Sequence, residues 1–192
     1  MNFLLFFVFF ILSVTLHQYL HCFMAYRFGD VDIKFSGRLT INPLKHIDFF
    51  GTILLPLILI LATKNVIFGY AKPLKINYYY FKKQKKQTLL LALIGPLGNL
   101  TISFFLILIS YFFKSTLIFQ ILFTLAYANF LLAIINLIPI PPFDGSKFLT
   151  SLLPIKFLHF YRRFSFLGLY IVLFLLWTNF FDFLFNIFIK FL

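Results

Sequence analysis

Five apolar runs dominate the sequence, at about residues 3–26, 49–63, 88–113, 116–137 and 164–189. Only the last of them holds an Asp, Glu, Lys or Arg, and 88–113 and 116–137 are each long enough for the ~20 residues that take a helix across a bilayer. A chain that is 62% hydrophobic, with a mean hydropathy of +0.99, has too little polar surface to coat a soluble globule. The sequence therefore describes an integral membrane protein.

The net charge of +12 raises the question of nucleic acid. The lysines and arginines lie between apolar runs rather than along one basic face, so the positive-inside rule accounts for them and a nucleic-acid partner is set aside. In the cluster Lys82 to Lys86, KKQKK, the fitting partner is the anionic lipid headgroup. A single cysteine, Cys22, excludes an intramolecular disulfide framework, and its place in an apolar run points to helix packing. The opening MNFLLFFVFF has no basic flank and no small-residue cleavage site, which predicts a retained helix rather than a signal peptide.

The run at 49–63 is short for a spanning helix and holds Pro56, so it is expected to be re-entrant or membrane-embedded. If it does not cross, residues 27–48, 64–87 and 138–163 share one side and hold every lysine and arginine except Lys114 and Lys190. That arrangement obeys the positive-inside rule and puts these loops in the cytoplasm and the N-terminus outside. The expected fold is all-α: a bundle of about four spanning helices, one embedded segment and a small β-hairpin. The hairpin is predicted at 31–41, where Val31, Ile33 and Phe35, then Leu39 and Ile41, alternate with polar residues around Ser36-Gly37. A plain connecting loop is the alternative.

Two imidazoles stand inside the first apolar run, in TLHQYLH, residues 15–21. Four residues of α-helix turn through ~400°, so His17 and His21 project from one face, as two ligands of one metal ion do. Hydrogen bonding to other helices would also satisfy such a pair. A second constellation bears on the choice. In NLIPIPPFDGSKFL, residues 136–149, three prolines break the helix and Asp144-Gly145 follows in apolar surroundings. A carboxylate there is a poor structural element and a good third ligand. His17, His21 and Asp144 lie toward the cytoplasmic ends of their helices and can meet at one depth. Two histidines and a carboxylate leave a fourth position for water, which is the donor set of a catalytic zinc.

With these motifs in order, the chain resembles the site-2 proteases, intramembrane zinc metalloproteases. The family's HExxH helix corresponds to His17-Gln18-Tyr19-Leu20-His21, its Asn-x-x-Pro-x-x-Pro-x-Asp-Gly element to Asn136–Gly145, and its Gly-Pro-x-x-Asn element to Gly95–Asn99. AYRFGD at 25–30, GRLTINPLKHID at 37–48 and GYAKP at 69–73 are similar to the compact branch without a PDZ domain. The resemblance implies one membrane-embedded domain over 1–192, with a zinc-site core at about 3–153 and a C-terminal helix at about 164–191. It also implies Zn2+ held by His17, His21 and Asp144, and cleavage of a transmembrane segment in a membrane-tethered substrate, that is, regulated intramembrane proteolysis. The expected location is the bacterial inner membrane, multi-pass, with the zinc site toward the cytoplasm.

One position departs from the family. Where HExxH enzymes use glutamate as general base, this chain has Gln18, which hydrogen-bonds but cannot take up the proton. The chain contains no glutamate, and Asp30, Asp32, Asp48 and Asp182 sit in no motif for the role. This form is expected to bind zinc and to cleave very slowly or not at all. A Glu-to-Gln change made to trap an inactive enzyme accounts for it, and a natural pseudoprotease or membrane adaptor is the alternative. Asn99, Asn136 and His46 are candidate substrate contacts, against interhelical hydrogen bonding for the two amides and simple solvation for the histidine. A metal transporter would favour a polar pathway on several helices or paired repeats, which the sequence lacks.

Overall fold

In the computed structural model, the residues described are 3–58, 69, 71–114, 116–154, 161, 168, 170–171, 174–175, 178 and 180–190, and no β-strand occurs among them. The helices are α1 (Phe3–Arg27), a single turn α2 (Asp32–Phe35), α3 (Gln84–Ser110), α4 (Leu117–Asn136), α5 (Asp144–Leu152) and α6 (Phe180–Lys190). Among the described residues, three stretches are long and apolar enough to cross a membrane: Leu5–Arg27, Gln84–Phe113 and Leu117–Asn136.

These three helices pack on one another, and α5 lies against α3. Inside, Phe6, Phe10 and Val14 of α1 meet Ala126, Tyr127 and Leu131 of α4. Phe188 of α6 closes that cluster, with its ring centroid 5.3 Å from Tyr127 and 5.1 Å from Phe130. Outside, Val8 and Leu12 of α1 and Phe104, Phe105, Leu108 and Ile109 of α3 are exposed. Large apolar side chains on the outer surface of a helical bundle suit lipid and not water.

The expected hairpin at 31–41 is not formed. Residues 32–35 make one helical turn, with Ile33 buried and Phe35 84% exposed. The alternation misled because local hydrogen bonding takes the chain another way. Gly29, at φ +106°, ends α1, and the buried carboxylate of Asp30 then accepts the amides of Asp32 at 3.2 Å and Asn77 at 2.8 Å. Ser36 Oγ donates back to the Ile33 carbonyl. An Asx turn of this kind offers the backbone an alternative to a ladder.

Of the run expected to be embedded, Phe49–Ile58 is a short apolar helix that opens as a π-helical turn, Phe49–Leu54, capped by Asp48 accepting the Gly51 amide at 2.8 Å. Its ten residues extend about 15 Å, half of a ~30 Å hydrocarbon core. Residues 59–63 of that run lie outside the described residues, and so do 164–167, 169, 172–173, 176–177 and 179 of the expected fourth span at 164–189. Its described end, α6, packs against α4.

Candidate metal centre

His17 and His21 sit one turn apart on the face of α1 that meets α3, with their rings 4.8 Å apart between centroids. A bulky residue on α3 would keep the helices from closing there. Gly95 is what lets them approach, because a Cβ at that position would overlap both imidazoles. Small residues at helix crossings serve this purpose in membrane bundles.

Asp144 arrives from the opposite end of the chain. Helix α4 stops at Asn136, and Pro139, Pro141 and Pro142 cannot continue it. The chain folds back so that Gly145 packs against the Leu137 and Ile138 carbonyls, where any side chain would clash. Asp144 then opens α5 and points its carboxylate at the histidines. Oδ2 is 2.9 Å from Nε2 of His17 and 2.9 Å from Nε2 of His21, and the two nitrogens are 3.2 Å apart. All three residues are buried. The second carboxylate oxygen accepts from Lys147 Nζ at 2.7 Å, one turn along α5.

Hydrogen-bonding logic fixes the state of one histidine. The Asn129 side chain faces the Leu125 carbonyl at 2.9 Å, and a carbonyl only accepts, so the atom there is Nδ2. Asn129 Oδ1 therefore accepts from Asn99 Nδ2 at 2.7 Å, which leaves Asn99 Oδ1 facing His17 Nδ1, also at 2.7 Å. His17 Nδ1 must carry a proton, and neutral His17 presents a lone pair at Nε2. That lone pair points at a carboxylate oxygen 2.9 Å away.

With His17 neutral, His21 brings at most one proton to the cluster, and one proton does not separate three acceptors. A cation among them does. The 2.9 to 3.2 Å separations are close to the ~3.3 Å expected between ligand atoms of a tetrahedral zinc ion. The three residues therefore fit a divalent metal in donor chemistry, in spacing and in burial.

Gln18 has a buried Oε1 without a hydrogen-bond partner among the described residues. Asn99 is occupied with His17 and Asn129, and Asn136 Nδ2 donates to the Leu132 carbonyl at 2.8 Å within its own helix. His46 is buried rather than solvated. One ring nitrogen bonds the Thr40 carbonyl at 2.8 Å, and its own carbonyl accepts the Lys72 amide at 3.0 Å. Burial, with help from the Arg38 charge, pushes the His46 pKa down against the opposing Thr40 carbonyl. Sequence reasoning passed over Asn129 and Lys147, and it named Gly95 in a motif without its packing role. An amide in the middle of an apolar helix was the available signal for Asn129, and a cation one turn after a buried acid was the signal for Lys147.

Comparison with known proteins agrees with this geometry. The family model "Peptidase family M50" matches residues 114–179, which include Asp144 and exclude the histidine helix. Over 154 residues, 75% of this chain, the sequence is 38% identical to "Putative zinc metalloprotease YwhC" of Bacillus subtilis and spans 67% of that protein. It is 30% identical over 138 residues to "Putative zinc metalloprotease Rip2" of Mycolicibacterium smegmatis, of which it spans 52%. No solved structure matches. Together with the likeness to YwhC along most of both chains, the family match establishes that this chain belongs to peptidase family M50, the site-2 protease family.

Proposed function

We propose that this chain is an intramembrane zinc endopeptidase that cuts a transmembrane segment of a membrane-tethered substrate, and that the form carrying Gln18 cleaves very slowly or not at all. The observation that carries this reading is the convergence of two histidines and one aspartate on a buried point, at the spacing of ligands around one metal ion. His17, His21 and Asp144 would hold the zinc. When bound, zinc supplies a Lewis acid that polarises the scissile carbonyl and makes water a better nucleophile at neutral pH.

The protein's own groups do the rest. Neutral His17 and His21 and ionised Asp144 give a net charge of −1 in the ligand set, and Lys147 holds the free carboxylate oxygen. Position 18 is where a carboxylate would take up and hand on the proton during peptide cleavage. The amide of Gln18 can orient a water or a peptide carbonyl and can do no more. A substrate helix has its carbonyls hydrogen-bonded internally, so it must unwind locally before one can be attacked. Asn136, at the end of α4 where the chain turns toward Asp144, would meet the opened backbone once Nδ2 leaves the Leu132 carbonyl. Asn99, engaged at both ends of its amide, is left to orient His17.

The basic loops and the bacterial relatives support a multi-pass protein of the bacterial inner membrane, with its metal centre toward the cytoplasm. The test is Gln18→Glu. In proteoliposomes with a model single-span substrate, the variant is expected to cleave and a zinc chelator to stop it. If the variant binds zinc and the substrate remains whole, position 18 is not the general base and the chain is a client-binding pseudoprotease.

A further inference from the structure

We propose that Asn129 is a positioning residue for the metal centre: acting through Asn99, it sets which nitrogen of His17 carries the proton and so which nitrogen is free to bind metal. The inference rests on the reading of His17 as a ligand and adds a residue on a third helix that never touches the metal. Its basis is a chain of contacts from Leu125 to Asp144 in which each donor and acceptor is forced by the one before.

Without Asn129, the Asn99 amide would lose the acceptor that fixes its orientation. The other contact of Asn99 Nδ2 is to the Ser13 carbonyl at 3.4 Å, at the edge of hydrogen-bonding range. A turned amide would present Nδ2 to His17, where Nδ1 would then have to accept. The ring proton would move to Nε2, the nitrogen that faces Asp144 and His21. Asn99, Asn129 and His17 are all buried, so water does not readily substitute for a missing partner. His21 has no such support, since its Nδ1 is buried without a partner among the described residues. The two histidines, chemically alike, thus differ in how their tautomers are held.

Two variants separate positioning from a general packing role. Asn129→Leu keeps the volume and removes both hydrogen bonds. Asn129→Asp, protonated in so apolar a place, keeps an oxygen toward Asn99 and a donor toward Leu125. The readout is the ring 15N spectrum of histidine-labelled, metal-free protein in micelles, with zinc affinity measured beside it by competition with a chelator. Wild type and Asn129→Asp are expected to show His17 protonated at Nδ1. In Asn129→Leu, His17 is expected to shift toward the Nε2-protonated form while His21 stays unchanged, with zinc bound about 10- to 100-fold more weakly. If Asn129→Leu does not fold, Asn129→Ala carries the same expectation. A His17 spectrum identical in wild type and the apolar variant overturns the relay. A wild-type protein with the expected spectrum that bound no zinc would overturn the ligand reading instead.

Discussion

Gly95 of α3 lies directly against the imidazoles of His17 and His21, so close that a single added methyl group would overlap Nε2 of both rings. Gly95→Ala must therefore separate α1 from α3 or turn the histidines away from Asp144. Overpacking of this kind costs about 1–3 kcal/mol, and the ligand triangle is the part that gives. The expected outcome is a folded protein that retains less than about a tenth of its zinc by elemental analysis, the scale on which disturbed ligand geometry acts. Gly98→Ala is the control. Its nearest neighbour is the end of the flexible Leu20 side chain, which can swing aside, so zinc content should stay near that of wild type.

Asp30 ties the end of α1 to the segment that leads into α3. Its fully buried carboxylate accepts the backbone amides of Asp32 and Asn77, and Asn77 in turn donates through Nδ2 to Asp32 at 3.0 Å. Asp30→Ala would leave a buried amide unsatisfied, at a cost of about 1–3 kcal/mol. Thermal unfolding in micelles should show the loss, and limited proteolysis should cut faster around 74–81. Asp30→Asn, which keeps one accepting oxygen, should lose less.

The same residue explains where sequence and structure part. The histidine pair, the proline-broken end of α4 and the Asp144-Gly145 pair were legible because helical spacing and proline chemistry act locally. Val31, Ile33 and Phe35 were misleading. Their alternation fits a strand, but only Ile33 is buried, and the local turn at Asp30 and Ser36 is held in place by Asp30 bonding to Asn77, a partner far along the chain. Asn129 was missed for a related reason. An amide in an apolar helix marks it only as needing a partner, and its consequence appears only when α4 is laid beside α3 and α1.

His46 provides a pH dependence outside the spanning helices. Burial lowers its pKa in the folded protein, so the unfolded chain takes up the proton first as pH falls. Stability is therefore complete well above the unfolded value of 6.5 and declines as pH drops below it, until the folded-state value is passed. The clasp between Thr40, His46 and Lys72 should loosen in that window. The protection factor for hydrogen exchange at the Lys72 amide, relative to the intrinsic rate at each pH, is expected to fall between pH 7.5 and 5.5. His46→Gln can still donate to Thr40 but has no proton to gain, so it should flatten the profile. A wild-type profile already flat over this range would remove the role assigned to His46.

Asp144 carries the most direct consequence, because it supplies the one formal negative charge among the proposed ligands. In its absence His17 and His21 face each other with neutral nitrogens 3.2 Å apart and only two protein ligands remain. A zinc site needs three or four. Asp144→Ala should lower bound zinc from about one per chain to a small fraction, measured by elemental analysis after dialysis against a weak chelator. Asp32→Ala, which alters an exposed carboxylate bonded to Asn77 and Tyr80, should leave zinc content unchanged. Lys147 sharpens the comparison. It bonds the carboxylate oxygen that faces away from the histidines, so in Asp144→Ala its ammonium loses that partner. Asp144→Ala/Lys147→Met should therefore recover stability relative to Asp144→Ala and recover no zinc. Stability and metal would then move independently, as expected if Asp144 acts as a ligand and not as a structural ion-pair partner.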